Sequence, residues 1–328
     1  MKQTPPYTFQ DTSPDIPLKQ FWSDNEHFAD LFNSCLFNGK EVLKPHFLKD
    51  LNPDVSISIF SKEFQKTIRR TRDVLKAADT GECYRILGIE DQQAIHYAMP
   101  LRCLIYDGLT YLSQIEKTAN GHKHKQDIAN LDEFLSKYTK RDKLFPCYTI
   151  VIYWGEKRWD GPRKLSEMTA FGINDLAQEW FNDYHMHLLC VNEMEHPQTK
   201  SADVFKLFTA VRELYTNGGE NLPDVLSDVS IEVAYLASLV TKTTKNYEKL
   251  INQARADRKE SINMCEAAER LQKKCMEAGR LEGINHVALK MLYAGKPDEE
   301  ILEFTEITKE ALCNLKKQGI ESLSSSKE

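Results

Sequence analysis

The chain has 328 residues, 41% of them hydrophobic, so it is long enough to form about two or three domains around a sizeable core. Its net charge of −6 argues weakly against a nucleic-acid partner, although positive charge is concentrated between residues 60 and 165. Its eight cysteines lie far apart and include no CxxC pair. This spacing argues against a disulfide framework or a zinc finger and indicates free thiols in a reducing compartment.

Residues 1–22 are polar and proline-rich, which predicts a flexible lead-in. They contain no apolar segment of the kind that a signal peptide needs. No run in the chain approaches the ~20 apolar residues of a membrane-spanning helix. We therefore expect a soluble, cytoplasmic protein without a membrane partner.

The first predicted helix begins at Ser23, which forms a capping-box pattern with Glu26, and an Asn-Gly pair ends it. Residues 54–60 alternate between polar and apolar, which predicts a strand or an extended connector. Two further strands are predicted over residues 72–78 and 83–91, with turn residues between them. These two strands form a predicted hairpin.

The next helix is predicted from Pro100 to about Glu116, and a polar insert over 117–130 follows it. The most hydrophobic strand of the chain is predicted over 147–154, where β-branched residues are frequent. A further strand is predicted over 186–191. No strand signal follows it.

From residue 201 onward the pattern is helical, with a long helical region over 228–293. This order predicts an α/β fold, in which one mixed sheet flanked by helices precedes an all-helical C-terminal region. The predicted divisions are a flexible lead-in at 1–22, a sheet domain at 23–195, a helical region with a long helix at 196–295, and short helices with a disordered tail at 296–328.

The predicted hairpin carries a candidate metal site. Because residues i and i+2 of a strand share a face, Glu90 and Gln92 point to one side, whereas Asp91 points away and offers only its backbone carbonyl. Pairing of the two strands brings Asp73 toward Glu90. Mg²⁺ prefers oxygen ligands and often takes only one or two carboxylates, so Asp73, Glu90 and the Asp91 carbonyl suit it. Gln92 would orient a water or contact a phosphate.

This Asp…Glu-x-Gln arrangement resembles the PD-(D/E)xK nuclease motif, in which lysine is the usual third residue and glutamine a known substitute. Several longer segments are similar to the Rpn family of recombination-promoting nucleases and putative transposases, the YhgA-like group. They are FADLFN at 28–33, RDVLK at 72–76, GIEDQQAIHYAMPLRCLIYDGLTYLSQI at 88–115, FPCYTIVIYWGEKRWDGP at 145–162 and EAGRLEGI at 277–284. The resemblance covers about residues 24–300.

The resemblance implies a restriction-endonuclease-like fold in a bacterial endonuclease that hydrolyses DNA phosphodiester bonds with Mg²⁺ or another divalent cation such as Mn²⁺. It implies that Asp73 and Glu90 bind the metal and that Gln92 takes the place of the lysine. The first helix of such folds often adds an acidic residue near the metal. Asp30 in FADLFN is the candidate, and an ordinary solvated residue is an equal alternative.

Four basic residues at the first site strand are candidate contacts to DNA phosphates. They are Arg69, Arg70, Arg72 and Lys76. Ordinary surface charge is an equal alternative for them. His96, which follows the motif, is expected to be structural rather than catalytic.

Because Gln92 is neutral, the main alternative function is a catalytically degenerate nuclease fold that binds DNA or a protein. A helical interaction protein is a further alternative, but it does not explain the hydrophobic strand at 147–154. No GxGxxG or GxxxxGK[ST] pattern supports a nucleotide cofactor. The expected partners are DNA and, through the helical C-terminal region, further copies of the chain.

Overall fold

The computed structural model describes residues 13–52, 72–81, 83–125, 128, 130–171, 176–194 and 198–324. The strand predicted over 54–60 lies outside these ranges, as do the first twelve residues of the predicted lead-in.

A five-stranded sheet forms the centre of the first part of the chain, in the order β1–β2–β3–β4–β5. Its strands are Leu48–Asp50 (β1), Val74–Asp79 (β2), Tyr84–Gln92 (β3), Cys147–Tyr153 (β4) and His187–Cys190 (β5). The first three strands pair antiparallel, whereas β3, β4 and β5 pair parallel. The predicted α/β class with a mixed sheet flanked by helices is confirmed.

Most α-helices lie where the sequence predicts them, whereas the first lies in the predicted lead-in and the predicted helical region of 228–293 contains three separate helices. They are Asp15–Ser23 (α1), Asn25–Phe37 (α2), Met99–Lys125 (α3), Leu131–Ser136 (α4), Ala202–Thr216 (α5), Ile231–Val240 (α6), Thr244–Ala256 (α7), Met264–Tyr293 (α8), Asp298–Thr305 (α9) and Lys309–Ser324 (α10). The region from α5 onward is mainly helical, as predicted.

Both faces of β4 are covered, which explains why this strand is hydrophobic throughout. On one face, Val151 packs in a cluster with Met99 and Cys103 of α3. On the other face, the Trp154 ring that follows β4 lies 6.5 Å from the Trp22 ring of α1, measured between centroids. Apolar side chains therefore cover the sheet on both faces at β4.

The N-terminal expectation is wrong for residues 15–22, which form most of α1 rather than a flexible lead-in. Leu18, Phe21 and Trp22 are buried, so tertiary packing holds this polar-looking segment in place. The predicted cap is also shifted by one residue. The helix α2 is capped by Asp24, whose side chain accepts the Glu26 N–H at 2.8 Å, and Ser23 instead ends α1.

Two further expectations are corrected. Helix α3 continues to Lys125, so most of the predicted polar insert is its exposed last turns. The expectation that no strand follows residue 191 is wrong as well. Two short strands, Val229–Ser230 (β6) and Ser261–Ile262 (β7), pair antiparallel. A two-residue strand is too short to show an alternating pattern in sequence.

The chain forms two compact units, one ending at Cys265 and the other beginning at Glu266. This division differs from the predicted one at 195, since α5 belongs with the sheet: the Tyr215 hydroxyl donates to the Trp154 carbonyl at 2.8 Å. The second unit has its own small core of Ala288, Ile301 and Leu312. Within the described ranges, every helix is too short or too polar to cross a lipid bilayer.

Candidate active site

The register of β2 and β3 brings Asp73 beside Glu90. Val74 pairs with Ile89, and the Asp73 N–H donates to the Ile89 carbonyl at 3.0 Å. Continuing this antiparallel register by one residue places Asp73 opposite Glu90, where side chains share a face. The predicted pairing of the two strands is thus confirmed, and it brings the two carboxyl groups to the same end of the hairpin.

The Asp91 backbone points toward Asp73, and its side chain points to the opposite face of the sheet from Glu90. Its N–H donates to Asp73 Oδ2 at 2.8 Å. Since the N–H and C=O of one residue leave a strand on the same side, the Asp91 carbonyl faces the same edge. Its carboxyl accepts the Trp154 indole N–H at 2.7 Å. The predicted orientation of Asp91 is therefore the one observed.

A cleft of about 510 Å³ lies at this end of β3. We call it the acidic cleft. The polar side chains among its lining residues are Asp15, Asp73, Glu90, Asp91, Gln92, Gln93, His96 and Arg102. Asp91 turns its carboxyl to the opposite face, so Asp15, Asp73 and Glu90 supply the carboxyl groups of the cleft and Arg102 supplies a positive charge. The cleft is therefore rich in negative charge when these acids are ionised.

Burial and crowding disfavour ionisation in the acidic cleft. Burial raises the pKa of Glu90 well above its ordinary value, and Asp73 raises it further, although nearby arginines lower it. Burial also raises the pKa of Asp73, against the lowering effect of the Asp91 N–H. Burial, and then Asp73, raise the pKa of Asp91 well above its ordinary value. A cation would be favourable here because it offsets both desolvation and repulsion between carboxylates.

Two buried carboxyl oxygens at this end of β3, one on each face of the sheet, have no hydrogen-bond partner among the described residues. Glu90 is 1% exposed, and its Oε1 makes no hydrogen bond to any described residue. The same holds for Asp91 Oδ2. The Trp22 indole lowers the pKa of Asp91 but makes no hydrogen bond of standard geometry within the described ranges. Buried oxygens without partners are uncommon in folded proteins and indicate a place for a ligand or water.

The glutamines and His96 complete the lining. Gln92 accepts the Trp154 N–H with its backbone carbonyl at 2.8 Å, while its side chain makes no hydrogen bond to the described residues. Gln93 Nε2 is buried and lacks a hydrogen-bond partner in the same ranges. His96 Nδ1 accepts the Ala98 N–H at 3.2 Å, which agrees with the structural role expected for it. Gln92 is therefore available to a ligand.

Sequence reasoning missed Asp15 and Arg102. Asp15 begins α1 and raises the pKa of Asp73, after burial. Arg102 lies on α3, with Nη2 3.5 Å from Glu90 Oε2 and 3.0 Å from the Tyr106 hydroxyl. The available signal for Arg102 is an arginine four residues before a tyrosine in the largely apolar first half of α3. The available signal for the helix of Asp15 is the i, i+3, i+4 spacing of Leu18, Phe21 and Trp22.

Asp30 does not reach the acidic cleft. Its two carboxyl oxygens accept the backbone N–H groups of Lys200 and Ser201 at 2.8 and 3.1 Å, so it fixes the segment that leads into α5. It lines a different surface cleft, beside Glu41. Among the described residues of α1 and α2, Asp15 is the one that lines the acidic cleft.

Arg72 is not a DNA contact, because it is 4% exposed and fully engaged within the protein. Its guanidinium forms a short ion pair with Asp107 and donates to Thr149 Oγ1 at 3.0 Å and to Thr110 Oγ1 at 2.7 Å. The Tyr184 hydroxyl donates to the other Asp107 oxygen at 2.5 Å. These five residues are called the Asp107 cluster below.

Lys76 is excluded as a DNA contact for the same reason. It is fully buried, and its Nζ donates to Ser23 O at 2.8 Å, Asn25 Oδ1 at 2.7 Å and Asp50 Oδ1 at 2.6 Å. It therefore links α1, α2 and β1 to β2. The remaining two candidates, Arg69 and Arg70, lie outside the described residues.

The acidic cleft fits a divalent cation with few protein ligands. Glu90 Oε1 and the Asp73 carboxyl are hard oxygen donors, and Mg²⁺ commonly takes one or two carboxylates and keeps several waters. Among the described residues, no group of three or more His, Cys, Asp or Glu side chains has the geometry of a metal site. The fit is therefore to a site of two carboxylates and a carbonyl, not to a cage of side chains.

The segments that resemble the Rpn family predict a reaction for the acidic cleft. The chain matches no protein-family model, and no curated protein or solved structure is significantly similar to it.

Proposed function

We propose that the protein is a Mg²⁺-dependent nuclease that hydrolyses phosphodiester bonds in DNA. One observation carries this proposal: Asp73 and Glu90 meet on adjacent strands at a cleft of about 510 Å³, and both have raised pKa values. Carboxyl groups held together against their own repulsion, with an unpartnered oxygen, are typical of a cation site. The same two residues carry the resemblance to the nuclease motif.

In the proposed reaction a water oxygen forms a bond to phosphorus, and the bond from phosphorus to one deoxyribose oxygen breaks. The departing oxygen takes up a proton, and the attacking water gives one up, so no redox partner is needed. Asp73, Glu90 and the Asp91 carbonyl would hold Mg²⁺, which would supply positive charge that makes the water more acidic and the phosphate more electrophilic. Gln92 orients the attacking water through its side-chain amide.

The charge of the acidic cleft makes the reaction depend on the metal. Three carboxyl groups, those of Asp15, Asp73 and Glu90, and one arginine line the cleft among the described residues, so a phosphate entering alone would be repelled. A divalent cation reverses much of that repulsion. We therefore expect productive phosphate binding only when the cation is present.

A plasmid-nicking assay tests the proposal. The full-length protein should nick supercoiled DNA with Mg²⁺ and not with EDTA. Asp73→Asn and Glu90→Gln keep the side-chain shapes and should abolish nicking. Glu116→Gln, at an exposed position of α3, makes the same change of charge away from the cleft and should leave nicking intact. Metal-dependent nicking that persists in both cleft variants would remove the assignment.

A degenerate nuclease fold that only binds DNA is the second candidate. One observation favours it: the neutral Gln92 stands where the nuclease motif that it resembles usually has a lysine. Such a protein would bind a fluorescent DNA duplex equally in Mg²⁺ and EDTA, and Asp73→Asn would not change that binding. The proposed nuclease should bind more tightly when a cation is present.

A further inference from the structure

Arg102 is the one arginine or lysine among the described residues that line the acidic cleft. It lies on the first turn of α3, and its side chain is 21% exposed, which leaves it in contact with the cleft. The motif position that would supply a cation holds the neutral Gln92 instead. The cleft thus has one positive side chain, and it comes from the helix rather than from the strand.

The hydrogen bonds of Arg102 leave much of its guanidinium available. Only Nη2 has partners: the Tyr106 hydroxyl at 3.0 Å and Glu90 Oε2 at 3.5 Å. Within the described ranges, Nε and Nη1 make no hydrogen bond or ion pair. The contact to Glu90 lies at the long limit for a hydrogen bond, so it is easily exchanged for a better acceptor.

Arg72 shows what an arginine with a purely structural role looks like in this sheet. All three of its guanidinium nitrogens have protein acceptors, and it is 4% exposed. Arg102 has two nitrogens without such acceptors beside a cleft lined with carboxylates. The difference indicates that Arg102 is held ready for an acceptor that is not part of the chain.

We propose that Arg102 is a catalytic residue that binds the oxygens of the scissile phosphate and supplies the positive charge that Gln92 cannot. This inference rests on the proposed nuclease function. The guanidinium offers a planar fork of donors that matches two phosphate oxygens, and it stays charged at any pH at which the protein is folded. Its contact with the Tyr106 hydroxyl fixes the plane of the fork, while the backbone of α3 fixes its distance from Glu90.

The charge on the phosphate oxygens grows as the water oxygen attacks, so the guanidinium binds the transition state more strongly than the bound substrate. We therefore expect Arg102→Gln to lower kcat by about 10²-fold or more, with a smaller change in KM. Arg141→Gln is the control, because Arg141 is exposed and does not line the cleft.

A compensating variant separates this role from a structural one. Gln92 lines the same cleft, so Gln92→Lys places an ammonium at the usual motif position. In the Arg102→Gln background it should restore most of the lost kcat. Added guanidinium ion should also restore part of the activity of Arg102→Ala, because it can occupy the vacated space with the same charge.

The measurements are plasmid nicking under single-turnover and steady-state conditions with thermal unfolding of each variant. A kcat of Arg102→Gln close to that of the unsubstituted protein would overturn the inference. A low kcat that neither Gln92→Lys nor guanidinium restores would overturn it too, since it would indicate a structural role. If Arg102→Gln does not fold, Arg102→Ala replaces it: a low kcat that added guanidinium ion raises supports the inference, and a kcat close to that of the unsubstituted protein overturns it.

Failure of the nuclease proposal has a different signature. If the unsubstituted protein does not nick DNA in Mg²⁺, the function itself fails before any Arg102 variant is made. If it nicks DNA and Asp73→Asn does not, the function stands, and the Arg102 variants then decide the further inference alone.

Discussion

Two polar clusters lie under α3 on the same face of the sheet, and they differ in how completely their groups are satisfied. In the Asp107 cluster, Asp107 accepts hydrogen bonds from Arg72, Thr149 and Tyr184. The Arg72–Asp107 ion pair is buried. In the acidic cleft, Glu90 Oε1 lacks a partner among the described residues, and the carboxyl groups repel one another.

Structural and functional polar groups in this chain differ in whether all of their hydrogen-bond partners lie within the protein. A buried network whose members all have partners stabilises one packing arrangement and leaves nothing to bind. A cluster with unpartnered oxygens and unfavourable charge is maintained at a cost in stability, and a ligand can lower that cost. Substitutions in the two clusters should therefore change stability in opposite directions.

The largest effect is expected in the Asp107 cluster. Asp107→Ala would leave the Arg72 guanidinium buried without its carboxylate, which typically costs about 3–5 kcal/mol in the free energy of unfolding. Urea denaturation at pH 7 measures this loss. Glu116→Ala removes an exposed carboxylate from the same helix and should change stability by less than about 0.5 kcal/mol. Equal effects of the two substitutions would contradict the structural role of the cluster.

A second expected effect concerns Gly88, which lies under the Arg72 side chain. A Cβ added there would lie 2.4 Å from Arg72 Cδ and 2.8 Å from Nε. Gly88→Ala should therefore displace the guanidinium from the Asp107 cluster and destabilise the protein by about 1–3 kcal/mol.

Gly108 offers a matched control for that substitution. It lies in α3 with no atom within 4 Å of an added Cβ. Gly108→Ala should stabilise the protein by up to about 1 kcal/mol, because alanine favours a helix over glycine. Thermal unfolding of the two variants compares them directly, and a loss of stability in both would show that the effect at Gly88 is not a steric one.

The part of the site that the sequence predicts is the part encoded locally. The hairpin of β2 and β3 surrounds a turn signal at residues 79–81, and once the two strands pair, their period of two decides which residues share a face. Asp73 and Glu90 therefore meet as expected, and Asp91 turns to the other face. These are consequences of strand periodicity over about twenty positions.

The parts that the sequence did not predict depend on distant partners. Arg72 and Lys76 look like surface charges, since their acceptors lie far away in the chain: 35 residues for Asp107 and 53 for Ser23. Helix α1 carries Leu18, Phe21 and Trp22 at helical spacing, but this pattern is too short to outweigh the polar, proline-rich residues that precede it. Burial of a charged group is set by tertiary contacts, and periodicity carries no record of it.

In the acidic cleft, removing a carboxylate should raise the free energy of unfolding, whereas Asp107→Ala lowers it, and the change should be smaller. Because the pKa of Glu90 is raised in the folded state, the folded protein holds this proton more tightly than the unfolded chain. The resulting stability is present below the ordinary carboxyl pKa and is lost as pH rises through the raised pKa. Glu90→Gln cannot ionise, so in EDTA it should be more stable than the unsubstituted protein at pH 8 and similar to it at pH 4.

Urea denaturation at the two pH values tests this expectation. The effect should be smaller than that of Gly88→Ala, because the cleft can be partly hydrated and Arg102 offsets part of the charge. Destabilisation by Glu90→Gln at pH 8 would mean that the carboxylate stabilises the fold, as Asp107 does, and the contrast between the two clusters would disappear.

The smallest expected effect is the stabilisation of the folded protein by Mg²⁺. At a concentration equal to its Kd, a ligand adds only about 0.4 kcal/mol, which raises Tm by roughly 0.6 °C in a protein of this size. The cation binds the ionised carboxylates, whose pKa values are raised, so its binding releases protons and tightens as pH rises.

The Mg²⁺-induced rise in Tm should therefore be larger at pH 8 than at pH 6. It should disappear in Asp73→Asn and Glu90→Gln and persist in Glu116→Gln, which separates binding in the cleft from general effects of salt on surface charge. A rise that is independent of pH and equal in all variants would place the cation elsewhere. The rise in Tm is measured without DNA, so it reports Mg²⁺ binding separately from hydrolysis. It therefore distinguishes a cleft that binds Mg²⁺ but does not hydrolyse DNA from one that does neither.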